Sequence, residues 1–344
     1  MVRENARNKK RGALWSLAVL IMVVLLAGCG ANGGANGNAN NANNGSSANQ
    51  PADNSASNGA SESYEVVHAM GTTTIKGTPQ KVVILTNEGT EALLALGVKP
   101  VGAVRSWTGD PWYEHIKAEM EGVTVVGEES QPNIEVIASL QPDLIIGNKM
   151  RQEKVYEQLK AIAPTVFAED LRGEWQNNFK LYATALNKQA EGEALLTAFD
   201  ERIQDFKGKA GDKLNDTISV IRFMADKTRV YHTNTFSGVI FEKIGIARNE
   251  MTKNAKDAFV DEITKERLPE ADADRIIFFT YETGDGAATK TEEEWTSDPL
   301  FGNLEAAKNE QIYRVDDAIW NTAGGIKAAN ILMDQLYDIY GLQK

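Results

Sequence analysis

Residues 81–104 read KVVILTNEGTEALLALGVKPVGAV, and three patterns follow one another within them. Val82-Val83-Ile84-Leu85 is a short β-branched run of the kind that forms a buried strand. From Glu88 to Leu96 the apolar residues take up a helical period, and Gly97 supplies the stop. Val101-Gly102-Ala103-Val104 is a second strand, so the segment is one strand–helix–strand unit. The alternation continues outward with a helix over 134–140, a strand over 144–146, a helix over 152–161 and a strand over 165–167. Such alternation predicts an α/β sheet covered by helices.

Between residues 174 and 209 the pattern is nearly all helix. Leu195, Leu196, Phe199, Ile203 and Phe206 keep one apolar stripe along it. Strands are then expected over 218–223, 229–231, 276–279 and 312–315, with helices near 237–244, 261–267 and 326–340. A chain that alternates, pauses for a long helix and alternates again reads as two α/β lobes on a rigid strut. The expected boundaries are an N-terminal lobe over 64–187, a connecting helix over 188–210 and a C-terminal lobe over 211–344.

The N-terminal end carries a different message. Arg3, Arg7, Lys9, Lys10 and Arg11 precede an apolar run that ends in Leu26-Ala27-Gly28-Cys29, the layout of a secretory signal. The run is too short for a spanning helix of about 20 residues. A signal peptide over 1–28 is therefore expected to be removed. Cys29 is the only cysteine of the 344 residues, so no intrachain disulfide can form. Residues 29–63 then hold Cys29 and a tract of Asn, Gly, Ala and Ser that cannot bury enough apolar surface to offset the entropy of ordering. It reads as a flexible tether.

With 36 Lys and Arg against 48 Asp and Glu, the formal net charge is −12. That balance argues against a nucleic-acid partner and against a broad basic membrane surface. An anionic ligand would need a local basic cluster.

These features resemble the bacterial iron–siderophore substrate-binding proteins of ABC importers. The resemblance rests on residues 81–104, on PNIEVIASLQPDLIIG (132–147), on FSGVIFEKIGI (236–246) and on the closing strand–Trp–helix around Trp320. SWTGDPWY, IGNKMRQEKVY and RFMADKTRVYHTNTFSG are most similar to the Gram-positive lipoproteins that take ferric hydroxamates, including citrate-based ones. The resemblance implies the class III periplasmic-binding-protein fold, two Rossmann-like lobes joined by one long helix that resists large hinge closure. It implies a lipid-anchored receptor, acylated at Cys29 within a lipobox, on the outer face of the cell membrane. It also implies a ferric siderophore as ligand, no cofactor, no metal bound directly, and no enzymatic activity. The receptor is expected to be a monomer that serves a permease driven by a separate ATPase.

A ferric siderophore arrives with its iron coordination filled, so the protein must supply aromatic walls and a few directed donors. Arginine suits this because its planar fork matches paired oxygens. Candidate donors stand where strands end, the part of an α/β lobe that faces a ligand. Arg105, the pair Lys149 and Arg151, and Arg172 follow three successive strands, in the company of Trp107, Trp112 and Trp175. Arg105 and Arg151 rank first among them. In the second lobe, Arg222 lies within a strand, where a buried salt bridge is an equal alternative. His232, at a position where the resemblance implies ligand contact, and Tyr281 and Trp320, at strand ends, complete the expected cleft wall. The resemblance alone assigns Glu135 and Glu242, one per lobe, to docking on arginines of the permease.

Rival readings carry less. No G-x-S-x-G, H-E-x-x-H or Walker A motif occurs, which disfavours an exported hydrolase or a built-in ATPase. Direct zinc or manganese binding would want several histidines, and only His68, His115 and His232 exist. Haem held by His232 or Tyr281 and a ferric catecholate stay open as alternative cargo. An adhesive surface protein would show repeats.

Overall fold

The computed structural model describes residues 62–344. The signal peptide, Cys29 and most of the tether expectation lie outside them. Two five-stranded sheets form the framework. In the first, strands run in the order Thr124–Val125, Gly102–Ala103, Val82–Ile84, Leu144–Asn148 and Thr165–Ala168, all parallel. Both faces of a parallel sheet are covered by its crossover helices. The central strands Val82–Ile84 and Leu144–Asn148 are accordingly buried at every residue.

The second sheet has the order Val260–Ile263, Thr228–Tyr231, Ile218–Phe223, Arg275–Thr280 and Ile312–Arg314. Its last three strands are parallel, and its first three are antiparallel. Val260–Ile263 corrects a helix expected over 261–267. Asp261 and Glu262 hide the strand by giving it a polar rather than an apolar period, and a 3-10 turn over Lys265–Ala271 takes the remaining residues.

The helix expected from 174 to 209 is two helices, Trp175–Ala185 and Gln189–Ala210. Asn187 breaks it with a φ of 56°, a left-handed conformation that asparagine tolerates. Gln189–Ala210 joins the two sheets in sequence. Its stripe of Leu196, Phe199, Ile203 and Phe206 is buried, each side chain contributing about 1.5–3 kcal/mol of hydrophobic stabilisation. The closing helix, Ile326–Ile339, packs on Asn87–Ala95 and Trp175–Ala185 as well as on Gln189–Ala210, so the end of the chain ties the two halves together. Gly325 makes that approach feasible, because a Cβ there would come within 2.6 Å of Glu91. No helix among the described residues is long and apolar enough to cross a membrane.

Candidate functional site

A cleft of about 400 Å³ opens between residues of the first sheet's loops and the face of the second sheet, a size suited to a drug-sized ligand. Its second wall follows from strand period. Residues two apart share a face, so Arg229 and Tyr231 stand together, and the antiparallel register sets Arg222 opposite Arg229. Two guanidiniums in that relation repel. Each is therefore held by its own carboxylate. Arg222 donates to both oxygens of Asp317, at 2.6 and 3.2 Å, and to the Tyr231 hydroxyl at 3.0 Å. Arg229 donates to Glu262, its partner on the next strand, at 2.7 and 3.1 Å. Tyr281, just past the strand Arg275–Thr280, stacks on Arg222 with the guanidinium carbon 4.5 Å from the ring centre.

The opposite wall brings Arg151, Trp107, Glu129 and Glu88. Arg151 sits in the short helix Lys149–Gln152, which Asn148 caps by accepting from the Met150 N–H at 2.8 Å. Its Nε donates to Glu129 at 3.3 Å, and its guanidinium lies 5.9 Å from the Trp107 ring. Glu129 is buried and also accepts from the Asn87 backbone and side chain, both at 2.9 Å.

Arg172 closes the cleft between the walls. It has a φ of 69°, an uncommon conformation for a bulky residue, and its guanidinium lies 3.8 Å over the Phe259 ring. That stacking leaves the edge donors free while the cationic face is held by the aromatic quadrupole. Among the described residues no carboxylate comes within 4.0 Å of it.

Of the expected ligand residues, Trp107, Arg151, Arg172, Arg222 and Tyr281 line this cleft. The others stand elsewhere. Arg105, 46% exposed, reaches toward Asp110 and Glu128 at about 4 Å. Lys149 pairs with Glu169 at 2.7 Å. Trp175 is a core residue, edge-on to Phe199 and Phe236. Trp320 is fully buried in the irregular turn Ala318–Thr322, with its Nε1 donating to Gln335. His232, also fully buried, bonds Thr252 at 3.1 Å through Nδ1 and approaches Asp261 at 3.3 Å on its other side. Burial lowers its pKa from the usual histidine range, although Asp261 opposes this.

The alternation explains His232: Tyr231 takes the cleft face, and its neighbour must point the other way. Arg229 and Tyr231 could have been found from that period once Arg222 was placed. Glu88, Glu129 and Asp317 give no such signal, because their partners are remote in sequence. Glu135 and Glu242 are both exposed, on the helices Ile134–Ser139 and Phe236–Ile244.

A model of the family described as periplasmic binding protein matches residues 82–319. The probable siderophore-binding lipoprotein YfiY of Bacillus subtilis (strain 168) is 51% identical over 283 residues, covering 80% of this chain and 87% of the relative. The Fe(3+)-citrate-binding protein YfmC of the same organism is 33% identical over 273 residues, with 78% and 84% covered. Among solved structures, Staphylococcus aureus SirA complexed with staphyloferrin B matches with a TM-score of 0.74 at 39% identity, covering 81% of this chain and 99% of that one.

Proposed function

The chain belongs to the periplasmic binding protein family, and from that premise we propose that it captures a ferric siderophore in the cleft and delivers it to an ABC permease for iron uptake. It is a transport receptor and not an enzyme. The observation that carries the ligand class is Arg172, a cleft guanidinium without a counter-ion among the described residues, beside three arginines whose carboxylates already hold them in place. A ligand presenting several anionic oxygens meets directed donors there without having to break an existing ion pair at Arg172.

Citrate-based complexes, with or without hydroxamate arms, fit this arrangement, and the relative named for ferric citrate supports the choice. Of the two axial ligands open to haem, His232 is buried away from the cleft and Tyr281 stacks on Arg222 in its wall. Ligand contact is assigned to Trp107, Arg151, Arg172, Arg222 and Tyr281, with Arg229, Tyr231 and Phe259 added. Retention of radiolabelled ferric citrate on the purified chain, lost in Arg172→Ala combined with Arg222→Ala, tests the assignment. Undiminished retention in that double variant would reject it.

The receptor is read as a monomer held by acylated Cys29 to the outer face of a cell membrane, and a relative named as a lipoprotein supports that placement. A tether from such an anchor raises the effective concentration near the permease. Residues 64–187 and 211–344 are taken as the lobes and 188–210 as the strut, with Glu135 and Glu242 as the permease contacts. The permease is paired with a separate ATPase chain.

A further inference from the structure

Glu88 is a cleft residue for which the ion pairs described so far have no use. It stands in the first turn of the helix Asn87–Ala95, is only 7% exposed, and lines the cleft floor. Its Oε1 accepts from Asn178 Nδ2 at 2.6 Å and from the Tyr182 hydroxyl at 3.0 Å. Its Oε2 has no hydrogen-bond partner among the described residues. Oε2 is not one of the fully buried polar atoms that lack a partner, so it opens to the cleft, where an oxygen of a ligand can meet it.

Among the described residues no neighbouring cation is free to stabilise an anion at this position. Arg151 is engaged by Glu129, Arg222 by Asp317, Arg229 by Glu262, and Arg172 lies over Phe259. One turn along the same helix, Glu91 is occupied by His115 and by the backbone N–H of Ala328 at 2.9 Å. Burial raises the carboxyl of Glu88 to about 8, with the charges of Glu129 and Asp170 adding to the rise and the Asn178 and Tyr182 bonds opposing it. The group is thus mostly neutral at pH 7.

We propose that Glu88 determines specificity by meeting the ligand as a neutral carboxylic acid, with its Oε2 hydroxyl donating a hydrogen bond to a carboxylate or hydroxamate oxygen of the ferric complex. The inference rests on the siderophore reading of the cleft. A neutral acid can donate where an ionised one can only accept. The floor therefore welcomes an anionic oxygen while its proton stays on and repels it once the proton leaves. Binding is linked to one proton as a result, and above about pH 8 the affinity falls about tenfold per pH unit.

The test compares the full chain with its Glu88→Gln and Glu88→Ala variants, using ferric citrate and ferric staphyloferrin B as probes. Affinity is read by tryptophan quenching from pH 6 to 9.5, and proton uptake on binding is counted in weak buffer. Gln keeps an acceptor for Asn178 and Tyr182 and presents N–H donors in place of the O–H. The variant therefore holds near the wild-type pH 6 affinity at every pH, whereas the wild type weakens above pH 8 and takes up one more proton than Glu88→Gln at pH 9. Glu88→Ala binds at least fivefold more weakly at pH 6. Wild type and Glu88→Gln sharing one pH profile, with ligand bound, would overturn the role of Glu88 alone. A wild type that binds neither probe at any pH would overturn this inference for both ligands, whereas the siderophore reading itself falls only if ferric citrate-hydroxamate and ferric catecholate are inert as well.

Discussion

Arg222 and Arg229 face each other across an antiparallel strand pair, each neutralised by a carboxylate on its far side, Asp317 for one and Glu262 for the other. The row Glu262–Arg229–Arg222–Asp317 keeps two guanidiniums side by side on the cleft face. Removing one end of a buried pair leaves the other uncompensated, at a cost of about 3–5 kcal/mol. Asp317→Asn should therefore lower the thermal midpoint of the unliganded protein, and an anionic ligand should restore more of it than in the wild type. Equal ligand-induced shifts in the two proteins, measured by calorimetry, would contradict the row's role in the cleft.

Arg172 and Arg105 should separate cleanly. Arg172 has no carboxylate partner among the described residues, so truncating it removes charge-assisted bonds to the ligand worth about 1.5–3 kcal/mol, which is roughly a 10- to 150-fold loss of affinity. Arg105 is half-exposed and lies off the cleft lining. Arg105→Ala should change affinity by less than about threefold, in line with the small worth of exposed ion pairs. Titration of both variants with one ferric complex checks the order, and a larger loss for Arg105→Ala would reverse the assignment.

Two carboxylates should shape the pH dependence of stability with opposite sign. Glu88 is raised from 4.5 to about 8, so the folded state keeps a proton that the unfolded chain releases. Its contribution is full below about pH 4.5 and is lost as pH rises through about 8. Glu282 is lowered from 4.5 to about 2 by the backbone N–H groups of Gly284, Thr289 and Gly286. Its contribution is present above about pH 4.5 and is lost as pH falls through about 2. Denaturant midpoints against pH should flatten on the alkaline side in Glu88→Gln and on the acid side in Glu282→Gln. Unaltered profiles would remove these groups from the account.

What could be read in the sequence follows from which features are local. Val82–Ile84, Asn87–Ala95 and Leu144–Asn148 announce themselves because a buried parallel strand is continuously apolar and its helix is periodic. The place of Arg151, Arg172, Arg222 and Tyr281 in the cleft lining is legible, because each stands at or within a strand end. Arg105, also at a strand end, was not separable from them, because the direction of a side chain after a strand depends on the loop that follows. His232 and Trp320 lie in the core instead of on the cleft face, and Tyr231 lies on it, because one residue of register decides between cleft and core. The pairing of Arg222 with Asp317, 95 residues apart, leaves no trace in any window of sequence.

Glu135 and Glu242 are exposed and outside the cleft lining. The double variant Glu135→Ala with Glu242→Ala should keep wild-type affinity for the ferric complex and lose iron uptake by cells that depend on this receptor. Loss of binding by the isolated double variant would contradict the docking assignment, as would normal uptake.

The most direct measurement is a tryptophan fluorescence titration against a panel of ferric citrate, a ferric citrate-hydroxamate, a ferric catecholate, haem and zinc. Trp107 in the cleft wall provides the signal. Saturable quenching by at least one citrate-based ferric complex is expected, weakened by Arg172→Ala. Quenching by haem or zinc alone, with every ferric siderophore inert, would contradict it.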